Sequence, residues 1–282
     1  MTGRLLVVGT PIGNLGDLTP RAADALRTAT LVVAEDTRLA QRLLAHLGVR
    51  RPTSAFNDHN AAERLPALLA RLAAGETLAM TTDAGMPGVS DPGARLVAAA
   101  RAAGASVDVL PGPSAVTAAM AAAGVEALGF VFGGFLPTRP AAARRAALER
   151  LLTAGGATGL PLILFEAPHR VSALLAALGA AVPTARVAVC RELTKLHEEI
   201  LVGTPAEVAA TLGAPRGEFT LVISELPPAS STDGAGFDAE ALAAAAGRAG
   251  LSDRSIVELL RGAGIGRRDA YRVVGKQGLS RR

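Results

Sequence analysis

Residues 5–22 read LLVVGTPIGNLGDLTPRA, and the way this stretch is punctuated decides the fold class. Leu5-Leu6-Val7-Val8 is a continuous apolar run closed by Gly9, as expected of a strand buried on both faces of a parallel sheet. Thr19-Pro20 then opens a helix. The threonine hydroxyl satisfies an orphan N–H, proline at the first helical position has no donor to lose, and Ala22, Ala25, Leu26 and Ala29 recur at helical spacing. Strand, loop and helix make one βα unit, and the unit repeats. Further strands are expected at Leu31–Ala34, near Thr53–Phe56, near Leu78–Thr82 and at Ser106–Leu110. Between them lie helices carrying Leu39, Leu43, Leu44 and Leu47, then one ending at Ala74, then one from Pro92 to Ala103; Gly48 and Gly75 stop the first two. This alternation predicts a mostly parallel sheet covered by helices.

Pro111-Gly112-Pro113 punctuates the chain, so a first α/β lobe is expected over 1–112. After a helix from Ser114 to Ala123, strands crowd together at Phe130–Phe132, Leu162–Phe165, Val187–Cys190, Ile200–Val202 and Phe219–Ser224, with helices near 140–153, 170–178 and 205–212. Late clustering of strands favours a second α/β lobe, 113–226, whose sheet is mixed with an antiparallel part. PPASSTDGAG at 227–236 has the composition of a flexible linker, leaving 237–282 as a small helical domain. A length of 282 residues, about twice an ordinary domain, agrees with this division.

Composition excludes whole classes. Apolar residues make up 50% and charged residues 19%, so neither a disordered chain nor a fibre fits. The longest uncharged stretch, Val109–Val125, is 17 residues and is broken by Pro111, Pro113 and Gly124, short of the roughly 20 apolar residues of a membrane span. The apolar run near the start is too short for a secretory signal, and a cytoplasmic protein is expected. The single cysteine, Cys190, cannot form an internal disulfide and sits in a strand-like run, as a small buried hydrophobe does. Charge is uneven: residues 248–282 hold nine Arg and Lys against three Asp and Glu, while the first 247 hold 20 basic and 22 acidic residues. A basic end on a near-neutral body suits a polyanion, although a solvated tail reads the same way. With only seven Phe, one Tyr and no Trp, a surface that grips single strands by serial base stacking is disfavoured.

In open α/β sheets ligands bind beyond the carboxyl ends of strands, so the segments that leave strands carry the chemistry. Five stand out: Gly9–Leu15, Glu35–Arg38, Asp83–Pro87, Phe165–Arg170 and Arg191–Lys195. Glycines at 9, 13 and 16 do not match the G-x-G-x-x-G fingerprint, and no G-K-[ST] of a P-loop occurs. The glycines and prolines of the Asp83 loop let backbone approach a ligand, and Asp91-Pro92-Gly93 starts the next helix; a rigid turn accounts for the same residues. His46, His59, His169 and His197 lack metal-ligand spacing, so no metal is expected. There is no G-x-S-x-G elbow of a serine hydrolase. Pairs such as Glu166 with Arg170 and Arg191 with Glu192 also read as structural ion pairs.

Taken in order, GTPIGNLGDLTPRA at 9, EDTR at 35, DAGMPGVSDPG at 83, LPGPSA at 110, FGGFLP at 132, FEAPHR at 165, RELTK at 191 and GEFTLVI at 217 resemble the ribosomal RNA small subunit methyltransferase I family, part of the tetrapyrrole methylase superfamily. The resemblance spans about residues 4–226. It implies transfer of a methyl group from S-adenosylmethionine to the ribose 2′-hydroxyl of a cytidine in the decoding region of small-subunit (16S) ribosomal RNA, presented free or in the 30S subunit. It also implies a homodimer and a fold of two α/β lobes with the cofactor between them. Matched by motif, the cofactor contacts are Pro11, Asp83, Ala84, Gly85, Pro87, Ser114, Ala115 and Phe165. One departure is Met86, where the family usually has threonine. The C-terminal segment resembles, more weakly, the helix-turn-helix-like domain that often ends these proteins.

The residues agree with that chemistry. A sulfonium carries its methyl group already activated, so the protein needs to align it with the attacking oxygen and assist proton removal, without a metal. A ribose hydroxyl is a poor nucleophile, and Glu166, Glu192 and Lys195 are the candidates for base or charge stabiliser. Desolvation would make Lys195 a base; protonated, it would stabilise the alkoxide. Arg38, Arg170 and Arg191 suit phosphate, as do Arg267, Arg268, Arg272 and Lys276 on the second of two short helices joined by a glycine turn. Two rivals remain, a methylase of small tetrapyrroles and a non-enzymatic RNA-binding or ribosome-assembly factor, because fold alone does not set function.

Overall fold

The computed structural model describes residues 3–228, 239–248, 251–262 and 265–276. The chain forms two compact units, Met1–Ala229 and Ser230–Arg282. The larger begins with β1 (Arg4–Val8), α1 (Pro20–Thr28), β2 (Leu31–Ala34), α2 (Thr37–His46), β3 (Thr53–Ala55), α3 (Ala61–Ala73), β4 (Thr77–Thr81), α4 (Gly93–Ala102) and β5 (Ser106–Leu110). These five strands make one wholly parallel sheet in the order β3-β2-β4-β1-β5. Both faces are covered: Leu6, Val8 and Val32 pack with α1 and α2 on one side, and Leu5, Val7 and Val33 with α3 and α4 on the other. That two-sided burial is why the central β1 and β2 read as apolar runs, whereas the edge strands β3 and β5, only partly buried, carry Thr53, Ser54 and Asp108.

α5 (Ala115–Ala123) leads into β6 (Val131–Phe135), α6 (Ala141–Thr158), β7 (Leu162–Glu166), α7 (Pro168–Ala181), β8 (Arg186–Arg191), β9 (Glu199–Gly203), α8 (Pro205–Thr211) and β10 (Phe219–Ser224). The second sheet runs β6-β7-β10-β8-β9, with β6 parallel to β7 and every other pairing antiparallel. α6, α7 and α8 cover one face through Leu148, Leu174, Leu178 and Val208. α5 covers the other through Val116 and Ala119, and Ile12 from the loop after β1 enters the same cluster.

Three elements outrun their sequence signals. α6 continues to Thr158 rather than stopping near 153, because Gly155 packs against Leu226, where a Cβ would lie 2.4 Å from Leu226 Cδ1, and the αL stop comes only at Gly159. α7 starts at Pro168, which is tolerated as the first helical residue. β6 runs to Phe135 through an irregularity between Phe132 and Gly134.

The smaller unit holds α9 (Ala239–Arg248), α10 (Asp253–Gly262) and α11 (Arg267–Lys276) around Ala243, Ile256, Leu260, Ala270 and Val274. Ser252 caps α10 by accepting from the Ser255 N–H at 3.2 Å. Residues 229–236 of the expected linker and part of the glycine turn, 263–264, lie outside the described residues. Among those described, no helix is long and apolar enough to cross a membrane.

Candidate active site

The loops leaving β1, β4 and β5 meet at backbone distance. Thr10 and Gly85 exchange hydrogen bonds, N–H to carbonyl, at 2.9 and 3.1 Å, and Gly85 holds φ +84°, a region glycine enters without strain. A Cβ on Gly9 would lie 2.6 Å from the Gly112 nitrogen and 2.7 Å from Met86 Sδ, so only glycine lets the three loops share this floor. α5 starts beside it. Its N-cap, Ser114, makes no side-chain cap, which leaves the first-turn N–H groups and the positive helix end available to a ligand. Ser114, Ala115, Asp83 and Ala84 line a cavity of about 450 Å³, within the range of small-molecule sites.

Two of the carboxyl groups lining this cavity, Glu35 and Asp83, stand on the first-sheet side. Burial, and then the charge of Asp83, pushes Glu35 above its ordinary pKa, while Thr82 Oγ1 donates to Glu35 at 3.1 Å. Burial likewise raises Asp83, whose Oδ1 accepts the Asp36 N–H at 2.9 Å. Such a pair gains from a bound cation or hydroxyl donor that relieves the repulsion. Asp36 itself turns outward to Arg38, whose guanidinium holds it at about 2.

The opposite wall comes from the second sheet. Phe165 packs against Phe132 and Phe135, with ring centroids 5.2 and 5.4 Å apart. Glu166, next along β7, has a fully buried side chain bonded to Arg144, to Arg170 Nε at 2.8 Å and to the Ala167 N–H at 2.9 Å. Burial alone would raise its pKa, but the two guanidinium groups and the amide outweigh it and hold the carboxyl below its usual value. The loop after β8 carries the other network. Lys195 Nζ lies 2.8 Å from Glu192 Oε1 and 2.6 Å from Glu218 Oε2, and the Glu218 N–H donates to Glu192 at 2.9 Å. Burial works against the ammonium, yet these two carboxylates raise its pKa overall. Glu192 and Thr194 hold positive φ, 50° and 68°, and the loop closes on Gly13, where a Cβ would sit 2.4 Å from Lys195 Cγ.

The chain matches the family model for Tetrapyrrole (Corrin/Porphyrin) Methylases over residues 4–209. It is 46% identical over 226 residues to a protein of Xylella fastidiosa named ribosomal RNA small subunit methyltransferase I, covering 78% of this chain and 81% of that one. A protein of the same name from Thermotoga maritima is 39% identical over 79% of this chain and 98% of its own length. The chain belongs to the ribosomal RNA small subunit methyltransferase I family of tetrapyrrole methylases. It is a methyltransferase, and methyltransferases of this family use S-adenosylmethionine. Solved structures agree in fold. A diphthine synthase superposes with a TM-score of 0.64 at 14% identity, over 79% of this chain and 90% of that one. A uroporphyrin-III C-methyl transferase from Thermus thermophilus, complexed with S-adenyl homocysteine, superposes at 0.56 with 20% identity over 79% and 98%.

For this methyltransferase the cavity fits the family's cofactor chemically. The glycine floor admits a ligand to backbone distance, unpaired helix N–H groups suit a carboxylate, and Glu35 and Asp83 suit positive charge or ribose hydroxyls. Of the residues expected from sequence, Asp83, Ala84, Gly85, Ser114, Ala115 and Phe165 line the cavity, as does Glu166. Pro11 and Pro87 flank the loops without lining it, and Glu192, Lys195, Arg38, Arg170 and Arg191 stand outside its wall. The geometry bears on several of these readings. Glu166 is engaged by two guanidinium groups and the Ala167 amide, which fits a positioning residue better than a proton acceptor. The carboxylates of Glu192 and Glu218 raise the Lys195 pKa against the effect of burial, which favours the charge-stabilising one of its two expected roles. Arg191 donates to Glu199 at 3.3 Å and to the Arg216 carbonyl at 2.9 Å, and Arg170 to Glu166, so neither is a free phosphate clamp. Arg38 is paired with Asp36, yet its side chain is 85% exposed.

Sequence reasoning passed over Glu35, Phe135, Arg144 and Glu218. Glu35, Phe135 and Glu218 stand inside the motifs EDTR, FGGFLP and GEFTLVI, and a polar or aromatic residue beside an apolar strand is their signal. Arg144, on a helix among alanines and another arginine, carried none. The Cys190 thiol, pushed up to about 11 by burial and then by Glu198, has no nucleophilic character. Among the described residues no group of His, Cys, Asp and Glu is arranged to hold a metal.

Proposed function

We propose that this protein methylates the ribose 2′-hydroxyl of a cytidine in the decoding region of small-subunit ribosomal RNA, acting in the cytoplasm as a homodimer. The observation that carries the reading is the pairing of a glycine-floored, acid-lined cavity with an adjacent Lys195–Glu192–Glu218 network. Bound S-adenosylmethionine supplies an activated methyl group. Backbone at Ala84, Gly85 and Ala115, the carboxyl of Asp83 and the ring of Phe165 would hold it, with Pro11 and Pro87 shaping the loops. The Lys195 ammonium favours the alkoxide form of the acceptor, and Glu218, which lines the cavity and is tethered to Lys195, takes the proton. Glu192 orients both.

The relatives' name points to ribosomal RNA, and the smaller unit supports it. Arg267, Arg268 and Arg272 are exposed on α11, Arg268 and Arg272 on the side away from buried Ala270 and Val274, and Arg272 also pairs with Asp269. The side chain of Lys276 lies outside those described. Replacing the three arginines with alanine is expected to weaken substrate binding and to flatten its dependence on log salt by about 0.7 per lost phosphate contact. An unchanged salt slope would remove α11 from the interface.

The reading itself is tested by incubating the protein with labelled S-adenosylmethionine and unmodified small subunits, then hydrolysing the RNA in alkali. Cleavage needs a free 2′-hydroxyl, so label in an alkali-resistant dinucleotide is expected. Label released in mononucleotides, or no label in RNA, would overturn ribose methylation.

A further inference from the structure

The second wall of the cavity carries a half-exposed ring, Phe135, that is not among the cofactor contacts named above. β6 pairs with β7 as Phe132 with Ile163, then Gly134 with Leu164 and Phe135 with Phe165, so Gly133 is an extra residue in the ladder. In a regular strand Phe132 and Phe135 would point to opposite faces. The bulge puts both against Phe165, at centroid distances of 5.2 and 5.4 Å. Glycine suits both bulge positions. A Cβ on Gly133 would lie 2.7 Å from Leu151 Cδ1 and from Leu164 Cδ2, while Gly134 holds φ +58° with Ser90 Oγ 3.4 Å from where its Cβ would be. Two glycines thus turn a phenylalanine out of the core and leave it 54% exposed at the cavity.

The geometry points to Phe135 as the stacking platform for the nucleobase of the nucleotide that accepts the methyl group. This rests on the ribose reading above. Phe135 ends β6, an edge strand of the second sheet, whereas the glycine floor is built from loops of the first. Phe165 already offers the cofactor a ring on the far wall, and Phe135 beside it adds a second, half-exposed aromatic face. A polymer can use that face: its chain stays outside, the reacting nucleotide swings in, and its base loses stacking partners that an aromatic face replaces. Phe165 behind the ring holds it in place. The scarcity of aromatic residues in this chain argues against a long stacking surface, but a single flipped base needs only one.

The test uses the full chain with Phe135→Leu, which keeps apolar bulk on Phe165 and removes the π face, and Phe135→Tyr, which restores it. Methyl transfer to unmodified small subunits gives kcat and KM, and calorimetry gives affinity for S-adenosylhomocysteine. The expected result is a loss of about tenfold or more in kcat/KM for the subunit in Phe135→Leu. Most of that loss is recovered in Phe135→Tyr, and S-adenosylhomocysteine affinity stays within about twofold of wild type in both. Undiminished kcat/KM in Phe135→Leu, failure of tyrosine to rescue, or a parallel loss of S-adenosylhomocysteine affinity would overturn the platform. Wild-type protein that places no methyl group in RNA would instead overturn the ribose reading, so the two failures are told apart.

Discussion

Replacing Lys195 with alanine is expected to lower turnover on small subunits by about 10²–10³-fold, the loss typical when one stabiliser of a developing oxyanion is removed. Affinity for S-adenosylhomocysteine stays unchanged, because Lys195 stands outside the cavity wall. Lys195→Arg keeps the charge and recovers part of the rate. The pH profile separates the two roles a lysine can play. With Glu192 and Glu218 raising its pKa above the ordinary 10.5, Lys195 carries its proton throughout the neutral range. A stabilising ammonium then gives a rate that is flat between about pH 7 and about pH 9. Were the neutral amine the base, its fraction, and the rate, would rise about tenfold per pH unit over the same interval. A rising profile would move the proton from Glu218 to Lys195 and reverse the assignment.

Local signals made the first sheet readable before any coordinates. Thr19 does cap α1, accepting from the Ala22 N–H at 3.2 Å, and each continuous apolar run is a strand covered on both faces. The ligand loops were legible for the same reason, since glycine and proline mark where backbone must come close. What was not legible depends on residues far apart in the chain. Glu192 and Lys195 are three residues apart and visible as a pair, but Glu218 joins them only because β10 lies beside β8. In the sequence Glu166 reads either as a catalytic candidate or as an ion pair with Arg170 alone. Arg144, 22 residues away, reaches it from α6. The strand signal at Phe130–Phe132 stops three residues short of the end of β6, where Gly133 and Gly134 form the bulge that brings Phe135 to the cavity. Charge networks and re-aimed side chains are tertiary properties, and a single sequence shows only their local halves.

Glu166 is where such a network bears most on stability. Its side chain is fully buried, and it neutralises Arg144 and Arg170, themselves only 19% and 23% exposed. Glu166→Ala leaves two largely buried guanidinium groups without a counter-charge, and a destabilisation of about 3–5 kcal/mol is expected in urea unfolding near neutral pH. Glu166→Gln keeps the shape and one acceptor but not the charge, and falls between. The sign of the pH dependence follows from the depressed pKa. A carboxyl held below its ordinary 4.5 in the folded chain contributes its full stabilisation above that value and loses it as pH falls through the lower, folded one. The gap between wild type and Glu166→Gln is therefore widest near neutrality and closes as the pH is taken below 4.5. A gap independent of pH would mean that packing, not charge, holds this corner. Because Ala167 and Pro168 follow directly and open α7 at the edge of the cavity, Glu166→Gln also weakens S-adenosylhomocysteine binding if the corner loosens, so the same variant links a buried ion pair to the shape of the site.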